Sequence, residues 1–278
     1  MAALRNIRIA MTTLLCGVLL GGCAVKEWSE ERVLRKAEIW LDYTELTSDV
    51  RLLLFDSHGL YRDSLMCGVG GESAEPSRVT YLYNGTYRAV SVSQPLECEL
   101  CVADEFAQST FKAQSEDGYY IPVGDVRSDI FDFAIVKGDS KPFAPVAPRI
   151  TSGMTVRVDG LQWIDNPEGL HFEYDYATAA LLDGTPTAER GTYRPQTTIS
   201  GDRMTGEWRT FYGEENPDFV IRLVAADGEV LYQKNIRQQM SDNVDINIDI
   251  LIEFSKTQIR CTVADWTETV ERMIVDIE

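Results

Sequence analysis

Between residues 244 and 250 apolar and polar side chains alternate without a break. Val244, Ile246, Ile248 and Ile250 fall on one side, and Asp245, Asn247 and Asp249 on the other. A period of two is the strand period, so this segment predicts a strand with one buried and one wet face. Similar alternation, or short runs of β-branched and aromatic residues, predicts strands over 36–43, 50–55, 78–83, 86–93, 154–158, 171–182, 218–225, 229–234, 244–254 and 258–266. Turn residues punctuate them. Asn84-Gly85 and Asp227-Gly228 are dipeptides that favour two-residue hairpins, and Ser57-His58-Gly59 fits a short hairpin loop. Helical periodicity is sparse: it predicts short helices only over 27–36 and 104–112, while 118–136 mixes turns with short apolar runs.

Strands at short spacing with turns between them predict an all-β chain of antiparallel β-sandwiches. Pro142, Pro145 and Pro148 interrupt the stretch 137–152 and favour an extended connector there. The expected organisation is therefore two tandem sandwiches, 36–147 and 148–278, behind a tether at 23–35 and a removable leader at 1–22.

The leader reading rests on three parts. Arg5 and Arg8 give a positive start, residues 9–20 give twelve mostly apolar positions, and Gly21 and Gly22 follow. The apolar run is shorter than the roughly 20 residues that a spanning helix needs, and the order is that of a secretory signal. Leu20-Gly21-Gly22-Cys23 then resembles the lipobox of bacterial lipoproteins. Cleavage between Gly22 and Cys23 and acylation of Cys23 are the expectation. Each acyl CH₂ placed in a bilayer contributes about 0.8 kcal/mol, so several chains hold firmly. Glu27, Glu30 and Glu31 follow closely, as in surface-exported lipoproteins of the Bacteroidetes, although a solvated tether would use the same residues.

Charge narrows the partners. The chain carries a formal net charge of −18, and losing residues 1–22 removes two arginines and no acid, which takes it to −20. Such a surface disfavours nucleic acid and anionic membrane faces. Of six cysteines, Cys16 leaves with the leader and Cys23 is acylated. Cys67, Cys98, Cys101 and Cys261 could pair in three ways or remain core thiols, and spacing does not choose. Cys98 and Cys101 form a CxxC, but without the strand-then-helix setting of a redox motif.

Catalytic patterns are lacking. The two histidines, His58 and His171, lie in different predicted sandwiches, with no metal-ligand spacing around them. Acidic pairs such as Asp165 with Glu168, or Glu214 with Glu215, lie in loops and read as solvated turns. Gly68-Val69-Gly70-Gly71 lacks the strand and helix of a phosphate loop. No enzyme activity, cofactor or metal is expected. Asn84-Gly85-Thr86 fits a glycosylation sequon, and Asp63-Ser64-Leu65 resembles a short O-glycosylation motif.

Four features together resemble the FimB-type minor fimbrial anchor lipoproteins of the Bacteroidales, within the fimbrillin-like superfamily. They are the lipobox ending at Cys23, the segment pair 37–43 and 49–56 before Ser57-His58-Gly59, the run 83–90 containing Gly85-Thr86-Tyr87, and a last long strand ending at Asp265-Trp266. The resemblance implies two transthyretin-like sandwiches and a structural task. The chain would be a cell-surface outer-membrane lipoprotein, held by acyl chains on Cys23, joining other fimbrial subunits by strand exchange. Residues 267–278 would then be either a last strand of the chain's own fold or a donated one. An alternative of a different class is a surface glycan-binding lipoprotein of a nutrient-uptake system, with Trp163 and Trp208 stacking on sugar rings.

Overall fold

A computed structural model of the chain describes residues 34–41, 50–67, 77–93, 95–136, 141–143, 148–211, 213, 218–240, 247–256, 258–265 and 271–276. In the first part lie β1 (Leu34–Leu41), β2 (Val50–Asp56), β3 (Tyr61–Cys67), β4 (Ser77–Tyr83), β5 (Gly85–Ser93), β6 (Cys98–Cys101), β7 (Thr110–Ala113), β8 (Ser115–Glu116), β9 (Tyr119–Tyr120), β10 (Arg127–Ile135) and β11 (Lys141–Phe143). They continue as β12 (Thr151–Asp159), β13 (His171–Ala177), β14 (Ala179–Leu181), β15 (Arg190–Tyr193), β16 (Thr198–Ser200), β17 (Arg203–Phe211), β18 (Val220–Val224), β19 (Val230–Asn235), β20 (Asn247–Phe254), β21 (Gln258–Asp265) and β22 (Glu271–Asp276). Among the described residues the only helical pieces are the 3₁₀ turns Phe106–Gln108, Leu161–Trp163 and Arg237–Gln239.

The all-β expectation holds, and the sheets make two sandwiches. The first sets β11-β1-β4 against β10-β5-β2-β3. Leu82 of β4 meets Leu52 and Leu54 of β2, Ala89 of β5 and Phe133 and Ile135 of β10, so the three-stranded sheet covers one face of the four-stranded sheet. The second sandwich opposes β16-β17-β12-β20-β21-β22 to β19-β18-β13-β15-β9-β8. Met154, Val156 and Val158 of β12, with Ile248, Ile250 and Ile252 of β20, look across at Phe172, Tyr174 and Tyr176 of β13 and at Ile221 and Leu223 of β18. Pairing is antiparallel except for β1 with β11, β12 with β20 and β9 with β15.

Several links cross residue 148. β14 completes a small sheet with β7 and β6, and β9 pairs with β15. The Ser128 hydroxyl donates to Leu182 O at 2.6 Å. The second face of β2 and β5, carrying Leu53, Phe55, Val90 and Val92, shares one apolar cluster with Val156, Tyr174 and Ile250. With both faces covered, Leu52 through Phe55 are all fully buried, which explains the unbroken apolar run in place of alternation.

The ten predicted strands are present within a few residues of their expected bounds, with 171–182 divided into β13 and β14. Where the alternating segment 244–250 is described, Ile248 and Ile250 are buried and Asp249 is half-buried. Asp227-Gly228 makes its hairpin between β18 and β19. Gly228 has φ +91°, and the Glu229 N–H donates to Asp227 Oδ1 at 3.0 Å. Ser57-His58-Gly59 joins β2 to β3, held by Asp56, whose Oδ1 accepts the N–H groups of His58 and Leu60 at 2.8 and 3.0 Å.

Two expectations are corrected, and a third in the part that is described. Asn84-Gly85 makes no hairpin, because β4 and β5 belong to opposed sheets and the chain crosses between layers at this bend. Leu82 of β4 and Tyr87 and Ala89 of β5 share one interior, and burying them from two sides prevails over the local turn preference. Residues 104–112 form no α-helix: a single 3₁₀ turn leads into β7, where Phe111 and Ala113 are buried and Lys112 is exposed, a strand period. Of the expected helix at 27–36, residues 27–33 lie outside the described residues, and 34–36 open β1.

Candidate functional site

The residues singled out for chemistry are dispersed. Cys23 and Gly22 lie outside the described residues, as do Glu214, Glu215 and 68–71. His58 is exposed in the β2–β3 turn, and His171 opens β13, where its Nε2 lies 3.1 Å from Glu173 Oε1. Glu173 is itself nearly buried and takes Arg194 Nη2 at 2.8 Å. Among the described residues, no group of three His, Cys, Asp or Glu side chains is placed to hold a metal ion. Cys98 and Cys101 sit on β6, paired with β7, rather than at a helix start. Burial pushes the Cys98 thiol up to about 12, and burial also raises Cys101, the reverse of the lowered thiol that redox chemistry needs. Cys101 and Cys261 are free thiols. Ser64, on β3, accepts Arg51 Nη2 at 3.4 Å.

The two tryptophans occupy opposite environments. Trp208 on β17 is 8% exposed, with its ring 5.5 Å from Tyr174 and 5.3 Å from Phe172. Tyr174 in turn stacks on Tyr193 at 4.7 Å and on Phe219 at 5.2 Å, so Trp208 belongs to an aromatic column inside the second sandwich. Trp163 ends a 3₁₀ turn after β12 and is 51% exposed.

The features suited to assembly are strands. β1 is the middle strand of its sheet: it pairs with β4 from Leu34↔Tyr83 to Trp40↔Ser77 and with β11 from Ile39↔Lys141 to Leu41↔Phe143. β4 and β11 have no register with each other among the described residues, so without β1 this layer would be two strands facing a gap one strand wide. At the other end of the sequence, β22 pairs with β21 over Val263↔Glu271 to Gln258↔Asp276 and forms the edge of its sheet. Of the segment 267–278, residues 271–276 are thus placed as a strand of the chain's own fold.

Arginine–carboxylate pairs hold the frame, and no sequence pattern announced them. Asp125 takes Arg149 Nε at 2.6 Å and Arg127 Nη2 at 3.3 Å, tying the start of β10 to the segment before β12. The hydrogen bond from Arg149 holds the Asp125 carboxyl below the usual range against some desolvation. Asp175 on β13 accepts Arg222 Nη1 at 2.8 Å and the Thr192 hydroxyl at 2.7 Å, bridging β18 and β15 across one sheet face. Burial raises its carboxyl, but Arg222 and Thr192 outweigh that and leave it lowered. At Asp56, burial is likewise outweighed by Arg62 and by the turn N–H groups.

No protein-family model and no curated protein matches the chain. Solved structures do match. The fimbrial anchor protein Mfa2 of Porphyromonas gingivalis superposes with a TM-score of 0.59 at 12% identity, over 88% of this chain and 100% of that one. A candidate adhesin of Bacteroides ovatus gives 0.59 at 13% identity, over 86% and 95%. A candidate polysaccharide-binding protein of Bacteroides thetaiotaomicron gives 0.58 at 11% identity, over 86% and 98%. The likeness covers 86–88% of this chain, so the β-sandwich fold expected from the sequence is one it shares with these proteins.

Proposed function

We propose that the chain is a lipid-anchored structural protein of the cell surface, an anchor or assembly subunit of a fimbrium. The observation that carries this reading is the end-to-end fold likeness to a fimbrial anchor protein, with all of that chain covered. The lipobox supplies the attachment: acyl chains on Cys23 would fix the base of a polymer to the outer membrane. Strand exchange supplies the joint. β1 lies between β4 and β11 and is the first described strand, so its place could be taken by a partner's strand without disturbing the rest of the chain's order. Backbone hydrogen bonds would give such a joint its strength, and alternating side chains would give its register.

The test is fractionation with partner capture. The precursor expressed in a lipoprotein-processing host goes to the membrane fraction, and Cys23→Ala moves it, folded, to the soluble fraction. The lipidated chain co-purifies with fimbrial subunits from the same cell. A Cys23→Ala protein that stays wholly membrane-bound removes the anchor. The glycan-binding reading keeps one favourable observation, the exposed ring of Trp163. Retardation on polysaccharide gels that Trp163→Ala abolishes, with no fimbrial partner captured, would replace the first reading with the second.

A further inference from the structure

The bend at Asn84-Gly85, where the chain crosses from one layer of the first sandwich to the other, leaves two large apolar residues in the open. Tyr83 is 47% exposed and Val136 is 54% exposed. They flank one register pair, Gly85↔Ile135, at the end of the sandwich where β5 starts and β10 stops. The corner is firmly built: the Tyr87 hydroxyl donates to Tyr83 O at 2.9 Å, and the Tyr87 ring stacks on Phe133 at 5.6 Å. The exposure of Tyr83 and Val136 therefore belongs to a fixed surface.

The same end receives the chain from its N-terminal side, since Leu34, the first residue of β1, pairs with Tyr83. Ten residues separate Cys23 from Leu34, at most roughly 40 Å at full stretch. With acyl chains on Cys23 in a bilayer, the polypeptide would thus run from the membrane into the folded part at the end that carries Tyr83 and Val136. Leu96, 92% exposed, lies past the other end of β5, about 26 Å further along the strand. In a chain of formal charge −18, attraction of the whole molecule to anionic headgroups is not available to hold this end down. A tyrosine beside an aliphatic residue is what a membrane–water interface accepts, ring body toward the acyl boundary and hydroxyl toward water.

We propose that Tyr83 and Val136 form a second, non-covalent contact with the lipid interface, which sets the molecule upright with the Asn84-Gly85 corner on the bilayer and the Leu96 end away from it. This rests on the reading of Cys23 as lipidated. The partner is a bilayer surface, recognised through apolar contact.

The experiment places an environment-sensitive fluorescent amino acid at position 136, and in a separate chain at position 96, by codon suppression, so that native cysteines are left alone. The lipidated proteins are reconstituted in phosphatidylethanolamine/phosphatidylglycerol vesicles carrying a nitroxide at the headgroup. The expected result is a blue shift and nitroxide quenching at 136, persisting in high salt and reduced by Tyr83→Ser, with neither effect at 96. If the protein floats with the vesicles and 136 behaves like 96, the second contact is overturned and the lipid anchor stands. If the protein does not float at all, both fall together. A shift of equal size in Cys23→Ala protein without vesicles assigns the corner to a second copy of the chain and overturns the lipid contact. Loss of the shift in high salt also overturns it, because the contact would then be ionic.

Discussion

Trp208 and Trp163 carry the same side chain into opposite surroundings, and their energetics should differ accordingly. Trp208 closes an aromatic column with Tyr174, so Trp208→Ala should cost about 3–5 kcal/mol in urea unfolding. Trp163→Ala, in an exposed turn, should stay within about 0.5 kcal/mol. Neither environment could be read from sequence. The buried one lies in β17, where Gly206 and the charges of Glu207 and Arg209 masked a regular alternation of Met204, Gly206, Trp208 and Thr210. Asp175 gives the scale its acid signature. Its carboxyl is lowered in the folded chain, so its pairing stabilises above the unfolded-state pKa of about 3.9 and is lost as pH falls through the lower folded value. Melting temperatures of the wild type and Asp175→Asn should therefore differ at neutral pH and converge as the solution is taken below about pH 4. A gap that held constant down to the acid limit would remove Asp175 from the account.

At the scale of elements, turns separate what is local from what is not. Asp227-Gly228 behaves as its dipeptide predicts because the two flanking strands are neighbours in one sheet. Asn84-Gly85 does not, because β1 and β2 claim β4 and β5 for different sheets. Gly160 shows a third case: it ends β12 with φ +89°, and a Cβ there would stand 2.2 Å from the carbonyl oxygen of Phe254, at the end of the neighbouring β20. Gly228 also has positive φ, but open space around it. Gly228→Ala should thus cost about 1–2 kcal/mol from backbone strain alone. Gly160→Ala should cost more, since the β12 and β20 ends must also move apart, and urea midpoints of the two variants would rank them. Equal costs would mean that the close approach to Phe254 is unimportant. Two of the strands missed by sequence, β3 and β10, are the edges of their sheet. β3 reads Tyr61-Arg62-Asp63-Ser64 before its apolar end, and β10 holds Asp129 and Asp132 within nine residues. A strand paired through its backbone at a sheet edge needs little apolar patterning, so the pattern is weak there.

For the whole molecule, one apolar cluster runs through both parts of the chain, from Leu53 to Val263. β9 and β14 each pair across residue 148, and Asp125 holds arginines from either side of it. In the proposed role of an anchor such cross-links would matter, because pulling on one sandwich would load the strands of the other instead of a bare linker. The proposed corner contact of Tyr83 and Val136 belongs to this scale too, since it concerns how the body stands on the membrane.

By itself, the sequence determined the all-β class, the places of the strongly patterned strands and the hairpins whose strands are neighbours, and it carries the lipobox-like motif on which the proposed acylation of Cys23 rests. These are local properties: a period of two, a turn dipeptide and a short motif need no distant partner to be read. Only the tertiary structure decided which strands share a sheet, that Asn84-Gly85 is a crossing between layers, that Trp208 is buried while Trp163 is exposed, and that Tyr83 and Val136 lie at the end where β1 begins. Each depends on pairing between segments tens of residues apart, where burial of apolar faces outweighs local preference, and no single window of sequence contains that choice.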